Sequence, residues 1–142
     1  MNVSDIMTGR VIAVGQDEPV SAAARLLKRH NLGALPVTDS TGRLRGLVTD
    51  RDIVLRCIAP EEDPRSTPIR EIMSRGILTA QPGDSVEQAA ESMAREQIRR
   101  LPVTEEGRLV GMVTLCDLAR RDNCRRECSR ALESISANVR LR

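Results

Sequence analysis

No phenylalanine, tyrosine or tryptophan occurs among the 142 residues. A core without aromatic rings has to be filled by Leu, Ile, Val, Met and Ala, and no base can be held by stacking on an aromatic side chain. Lysine is almost missing too: Lys28 stands alone beside 21 arginines, so the cations are nearly all planar forks suited to phosphate or carboxylate. The single histidine, His30, has no Cys or carboxylate partner at metal-ligand spacing and reads as a helix-surface residue. No apolar run approaches the ~20 residues of a membrane span. The opening MNVSDIMTGR lacks the apolar stretch of a signal peptide, so the expected location is the cytoplasm. The four cysteines, Cys57, Cys116, Cys124 and Cys128, then read as reduced thiols rather than a disulfide framework.

What is present is ordinary for a folded chain: 40% hydrophobic residues, 30% charged and a net charge of +2 exclude a disordered polyelectrolyte. The length suits one compact domain, or two small halves that share a core because each would be marginal alone. Two copies of one unit are in fact legible. IMTGRVIAVGQDEPVSAAARLLKRHNLGALPVTDSTGRLRGLVTDRDIV aligns with IMSRGILTAQPGDSVEQAAESMAREQIRRLPVTEEGRLVGMVTLCDLA, with one residue skipped near Thr41. Each copy reads as an IM segment, a short apolar strand, a helix, an LPVT strand, a glycine turn, a GxVT strand and a second helix. The Pro-rich, acidic APEEDPRSTP reads as a linker. The expected division is residues 1–58, a linker at 59–68, a second unit at 69–121 and a helical tail at 122–142.

Local chemistry supports those elements. In copy two Asp84 is a candidate cap with Glu87 three residues on, and Val86, Ala89, Ala90 and Met93 form an apolar stripe. In copy one Pro19 suits the first helical position, and Val20, Ala23, Ala24 and Leu27 carry the stripe. Leu35-Pro36 and Leu101-Pro102 lead into strands, where proline predicts a strand beginning or an edge.

GLVTDRD (residues 46–52) and GMVTLCD (residues 111–117) are the sharpest repeated signal. Thr49 with Asp52, and Thr114 with Asp117, sit where a strand hands over to a helix and match a capping box in which Thr caps and the acid reaches back. That explains Thr and Asp and leaves Gly46 and Gly111 over. A glycine there lets something approach the backbone closely, a helix N-terminus favours an anion, and an Asp one turn in can accept two hydrogen bonds from a diol. A folding reading and a ribose-phosphate reading both stand on these residues.

In combination, GALPV and RRLPV followed by the two GxVT motifs at matching spacing resemble a tandem pair of CBS domains, the Bateman module, from Asp5 to about Arg121. The resemblance implies an α+β fold: two β-α-β-β-α CBS units in pseudo-twofold tandem, sheets packed together, with an extra C-terminal helix. It implies a non-catalytic regulatory module that needs no cofactor and binds AMP, ADP, ATP or another adenosyl compound in two clefts. It also implies a homodimer formed through the CBS units, acting on a regulated protein the sequence does not name. Carried over residue by residue, one cleft uses Leu47, Thr49, Arg51 and Asp52 with Gly76, Ile77, Leu78, Arg99, Arg100 and Leu101. The other uses Met112, Thr114, Cys116 and Asp117 with Thr8, Arg10, Val11, Ile12, Leu32, Gly33 and Ala34. Arg99-Arg100 stand in one copy where Gly33-Ala34 stand in the other, so unequal affinities are expected, with Arg100 able to reach either site.

Outside that pattern, Cys57 among Ile53, Val54 and Ile58 reads as core packing. Cys116, inside the second motif, is a candidate reactive thiol. Cys124 and Cys128 share a helical face that Ala131, Ile135 and Val139 continue, which suits packing better than a two-ligand metal site. Arg120, Arg121, Arg125, Arg126 and Arg130 interleave with Asp122, Glu127 and Glu133 as a solvated face rather than a nucleic-acid grip. No nucleophile with a base, metal cluster or phosphate loop is assembled, so no enzyme and no catalytic residue is expected. A structural protein with empty clefts, a thiol-based redox or metal sensor, and a nucleic-acid binder through the Arg-rich tail remain the alternatives.

Overall fold

The computed structural model describes residues 1–120 and 125–137. Copy one contributes α1 (Val3–Ile6), β1 (Val14–Gly15), α2 (Val20–His30), β2 (Ala34–Thr38), β3 (Leu44–Thr49) and α3 (Asp50–Ile53), which continues into a π-helical turn, Val54–Ile58. Copy two opens with a 3-10 turn, Ile69–Glu71, and continues with α4 (Val86–Glu96), β4 (Arg100–Glu105), β5 (Arg108–Thr114) and α5 (Leu115–Ala119). The extra C-terminal helix is α6 (Arg125–Ala137). The fold is α+β, with one sheet ordered β1-β2-β3 and a second formed by β4 and β5. The first strand of copy two is reduced to a single parallel bridge, Ala80 to Val103, which repeats the parallel pairing of Val14 with Val37.

The long helices form for the expected reason and start at slightly different places. α2 buries Val20, Ala23 and Leu27, and α4 buries Val86, Ala89, Ala90 and Met93. The cap of α4 is Ser85, not Asp84: Ser85 Oγ accepts from Gln88 N at 3.0 Å and Gln88 Oε1 accepts from Ser85 N at 2.8 Å, while Asp84 serves the preceding turn. Pro19 is the residue before α2 rather than its first and has no side chain to cap with. Carbonyls of the 59–68 stretch do that work: Val20 N donates to Thr67 O (2.9 Å) and Ser21 N to Pro64 O (2.8 Å). Both helices end on a left-handed residue, Asn31 at φ 52° and Gln97 at φ 61°.

Pro36 lies inside β2, the central strand, and not at a strand start or an edge. The placement is tolerated because β1 is only two residues long and its pairing begins at Val37. The β2–β3 turn is held by Asp39, whose Oδ1 accepts from Thr41 N (2.8 Å), Thr41 Oγ1 (2.6 Å) and Arg43 N (3.1 Å). The Thr41 hydroxyl, ahead of Arg45, holds the Asp39 carboxyl well below the usual range. In the β4–β5 turn Glu106 and Gly107 both have positive φ, as a two-residue hairpin of the I′ type requires; hence the skipped residue.

The compact bodies of the fold differ from the two sequence copies. One comprises Met1–Val11, Leu78–Glu106 and Val110–Arg142; the other comprises Ile12–Ile77 and Gly107–Leu109. Each takes its IM segment from the opposite copy. In the first, Asn2 bridges Ser85 and Thr8 bridges Met112; in the second, Pro68 bridges Pro19 and Ser74 bridges Leu47, the same two bridges at equivalent positions. The buried residues follow suit. Val3 and Ile6 lie in a core with Met93, Leu101, Val113, Leu118 and Ala131. Ile69, Ile72 and Met73 lie in a core with Val20, Leu35, Val37, Val48 and Cys57. An Ile side chain removed from water contributes roughly 1.5–3 kcal/mol, so the exchanged segments are structural members of the body they join.

Candidate functional site

Both Thr–Asp pairs form the full capping box. Asp52 N donates to Thr49 Oγ1 at 3.0 Å and Thr49 N donates to Asp52 Oδ2 at 3.0 Å. Asp117 N donates to Thr114 Oγ1 at 3.2 Å and Thr114 N donates to Asp117 Oδ2 at 2.8 Å. The two carboxylates are among the few buried charged groups described, at 9% and 8% exposure. One oxygen of each is spent on the cap. Among the described residues the other differs between the boxes: Asp52 Oδ1 lies 3.9 Å from Arg56 Nε, too far for a hydrogen bond, whereas Asp117 Oδ1 accepts a long hydrogen bond from Arg120 at 3.4 Å. Each Thr hydroxyl accepts the cap bond and still has its own proton to donate. Each box thus combines a folding device with a hydroxyl proton that folding leaves over, and the Asp52 box also with an unbonded carboxylate oxygen.

The glycines are explained by the chain itself. A Cβ on Gly46 would collide with the Ser74 carbonyl and the Met73 side chain, and one on Gly111 would lie 2.6 Å from Met7 Sδ and 3.1 Å from Thr8 O. What approaches these backbones is the exchanged IM segment, held to Leu47 by Leu47 N to Ser74 O (3.0 Å) and Ser74 N to Leu47 O (2.8 Å), and to Met112 by Thr8 N to Met112 O (2.9 Å).

The remaining candidate residues divide between the bodies. With Thr49, Arg51 and Asp52 lie Leu47, Gly76, which has positive φ, and Ile77; Gly33 O accepts from Asp50 N at 3.2 Å, so the Leu32, Gly33 and Ala34 segment abuts this box. Ile12 packs against the core of that same body. With Thr114, Cys116 and Asp117 lie Met112, Thr8, Arg10 and Val11; Arg99 O accepts from Leu115 N at 3.0 Å, so the Arg99, Arg100 and Leu101 segment abuts this second box. Leu78 packs against the core of that body. Each x-x-Leu-Pro segment therefore borders the Thr–Asp box of its own copy.

Cys57 is fully buried, and burial pushes its thiol up, followed by Glu62 and Asp63; His30 is exposed at the end of α2. The α6 stripe is a packing face: Ala131 is fully buried and Cys128 and Ile135 pack on the same core, whereas Cys124 and Val139 lie outside the described residues, as do Arg121 and Asp122. Sequence reasoning did not find where α6 goes. It returns along α4, with Ser134 Oγ donating to Ala94 O (2.8 Å) and Gln97 Nε2 donating to Ser134 Oγ (3.1 Å), and leaves a groove of about 470 Å³ lined by Glu87, Glu91, Arg95, Arg126, Arg130 and Ser134. No cluster of three or more His, Cys, Asp or Glu able to hold a metal occurs among the described residues. No described helix is long and apolar enough to cross a membrane.

Comparison with known proteins gives this arrangement a family. The model of the CBS domain matches residues 3–58 and again residues 69–123. CBS domain-containing protein YhcV of Bacillus subtilis is 42% identical over 135 residues, 95% of each chain. Among solved structures, Hypoxic Response Protein I with two coordinated zinc ions is similar at a TM-score of 0.79 and 38% identity, covering 85% of this chain and 98% of that one. A CBS domain pair in complex with 5′-methylthioadenosine and S-adenosyl-L-methionine is similar at a TM-score of 0.73 and 32% identity, covering 84% of this chain and 94% of that one.

Proposed function

Because the chain belongs to the CBS domain family and carries the domain twice, we propose that it is a non-catalytic regulatory module that binds adenosine-containing ligands at its two Thr–Asp boxes. The observation that carries the reading is the leftover chemistry of those boxes, a Thr hydroxyl proton at both and a carboxylate oxygen that is unbonded at Asp52 and held only by the exposed Arg120 at Asp117. Asp52 Oδ1 and Asp117 Oδ1 accept hydrogen bonds from the two ribose hydroxyls, and the Thr49 and Thr114 hydroxyls donate to phosphate or to the group that replaces it. A cap alone needs only one carboxylate oxygen, and at Asp52 leaving the other in a nearly buried setting with an arginine 3.9 Å away is unfavourable unless a donor arrives. Apolar side chains such as Val11 and Ile77 and nearby backbone groups hold the base, in keeping with the absence of aromatic residues. A relative that binds 5′-methylthioadenosine and S-adenosyl-L-methionine supports the ligand class.

Arg99 and Arg100 stand where the other copy has Gly33 and Ala34, so the two sites are chemically unequal and separate nucleotides by their number of phosphates. Two copies associate into a dimer, for which the exposed Val54, Leu55 and Ile58 supply apolar surface. Ligand then shifts the populations of the module's conformations in proportion to its differential affinity for them, which is the signal passed to a partner.

The absorbance spectrum of the purified protein tests this directly, since a chain without Trp, Tyr or Phe is almost transparent near 260 nm. A stoichiometric purine peak, released by heat and identified by chromatography, supports the proposal. A blank spectrum together with no retention of AMP, ADP, ATP, 5′-methylthioadenosine or S-adenosyl-L-methionine in equilibrium dialysis overturns it.

A further inference from the structure

Cys116 and Cys128 are 12 residues apart in sequence and are brought to the same place by the return of α6. Cys128 Sγ donates to the Leu115 carbonyl at 3.6 Å. That oxygen is itself about 2.8 Å from the Cys116 Cα across a trans peptide, which keeps the Cys128 sulfur within about 6.5 Å of that Cα. With about 2.8 Å more from that sulfur to its own Cα, the two Cα atoms lie no more than about 9 Å apart; a disulfide needs them roughly 4.4–6.8 Å apart, so α6 has to slide by up to a few ångström to close the bond. The two thiols differ in surroundings. Cys116 is exposed, whereas Cys128 is half-buried beside the core residues around Ala131. Burial, and after it the negative charge of Cys116, pushes the Cys128 thiol up. No third ligand joins them among the described residues.

We propose that Cys116 and Cys128 are a peroxide-oxidisable thiol pair whose disulfide fastens α6 to the first turn of α5. The Cys116 thiolate attacks one oxygen of hydrogen peroxide, the O–O bond breaks, and hydroxide leaves with the electron pair, giving a sulfenic acid. The Cys128 sulfur then attacks the sulfenic sulfur, the S–S bond forms, and the displaced hydroxide takes the Cys128 proton as water. Two thiols lose two electrons, the peroxide gains two, and two waters result. Cys116 lies between Thr114 and Asp117, so the bond is placed to change ligand affinity at that box. This last consequence rests on the nucleotide reading above; formation of the disulfide does not.

The test is peptide mapping of the full chain, reduced, exposed to a small excess of hydrogen peroxide and then alkylated. Trypsin separates all four cysteines, into the peptides 57–65, 109–120, 122–125 and 127–130. The expected non-reduced map joins 109–120 to 127–130, with Cys57 still free to be alkylated on unfolding. Cys116→Ser abolishes the link, and Cys128→Ser leaves a sulfenic acid on Cys116 that dimedone traps. A map that joins Cys124 to either partner, or that finds Cys116 and Cys128 both alkylated after peroxide, overturns the proposal. Equilibrium dialysis of the oxidised and reduced forms, read at 260 nm, measures the effect on ligand separately, so a failed nucleotide reading leaves the disulfide result intact.

Discussion

Replacing Gly46 by Ala separates the folding role of the GxVT motif from a ligand role. The new Cβ meets the Ser74 carbonyl first, with Met73 Sδ at 3.1 Å and Cγ at 3.3 Å behind it. That carbonyl is not free to retreat, because Ser74 and Leu47 exchange two backbone hydrogen bonds of 2.8 and 3.0 Å. Relieving the clash costs about 1–3 kcal/mol of overpacking and also weakens bonds worth about 0.5–1.5 kcal/mol each, so a loss of about 2–4 kcal/mol is expected. At Gly111 the nearest atom is the rotatable Met7 thioether at 2.6 Å, with the Thr8 carbonyl at 3.1 Å, and the expected loss is about 1–2 kcal/mol. At roughly 3–5 °C per kcal/mol for a chain of this size, Gly46→Ala melts about 10 °C below the native protein and Gly111→Ala about half as far. Far-UV circular dichroism reads both melts, as the chain has no aromatic fluorophore. A Gly46→Ala variant that melts with the native protein, or that outlasts Gly111→Ala, refutes the reasoning; unchanged stability with lost nucleotide binding would return the glycine to the ligand.

Thr49→Val and Thr114→Val each remove a cap acceptor and are expected to lower stability by about 1 kcal/mol in urea melts, while Thr→Ser at either position is near neutral. Ser134→Ala loses the bonds to Ala94 O and from Gln97 Nε2, in a place where Gln97 Oε1 is already buried without a partner among the described residues; about 1 kcal/mol of stability and faster amide exchange in α6 are expected. The thiols of Cys57 and Cys128 are both raised, chiefly by burial. The unfolded chain therefore releases these protons first, so the stability they contribute is present below the ordinary thiol value of 9.0 and is lost as pH rises above it. Melting temperature should fall between pH 9 and higher values, and Cys57→Ala should flatten that slope.

The repeat and most of its elements were legible in the sequence because each copy carries its own local signals twice. The helices declare themselves through Val86, Ala89, Ala90 and Met93 and their counterparts, and the boxes through Thr and Asp three residues apart. The exchange of IM segments was not legible, since local propensity does not say which copy a short apolar segment joins. Its trace was present in Gly46 and Gly111, whose need for a close neighbour reads equally well as room for a ligand until the neighbour is seen to be Ser74 or Met7 and Thr8. Pro36 misled for a related reason: a proline excludes a ladder bond, and only the shortness of β1 shows that none is required there. The cap at Ser85 was missed by one residue because Asp84 and Ser85 are both good cap formers, and Gln88, three residues after Ser85, decides between them. The stripe of Cys128, Ala131 and Ile135 announced a packed helix without naming the surface beneath it, so the approach of Cys128 to Leu115 emerged only from the fold.

The central claim is that the two boxes bind ribose, and a melting screen of the native protein against the Asp52→Asn, Asp117→Asn double variant tests it most directly. Asn keeps the acceptor for the cap and loses the charge and the second acceptor, so the fold persists while diol recognition does not. A ligand present at about 100 times its Kd contributes roughly 2.7 kcal/mol, which raises the melting temperature by several degrees. The account predicts that rise for at least one of AMP, ADP, ATP, 5′-methylthioadenosine or S-adenosyl-L-methionine with the native protein, and its disappearance in the double variant. No rise with any of them, or an equal rise in both proteins, would contradict it.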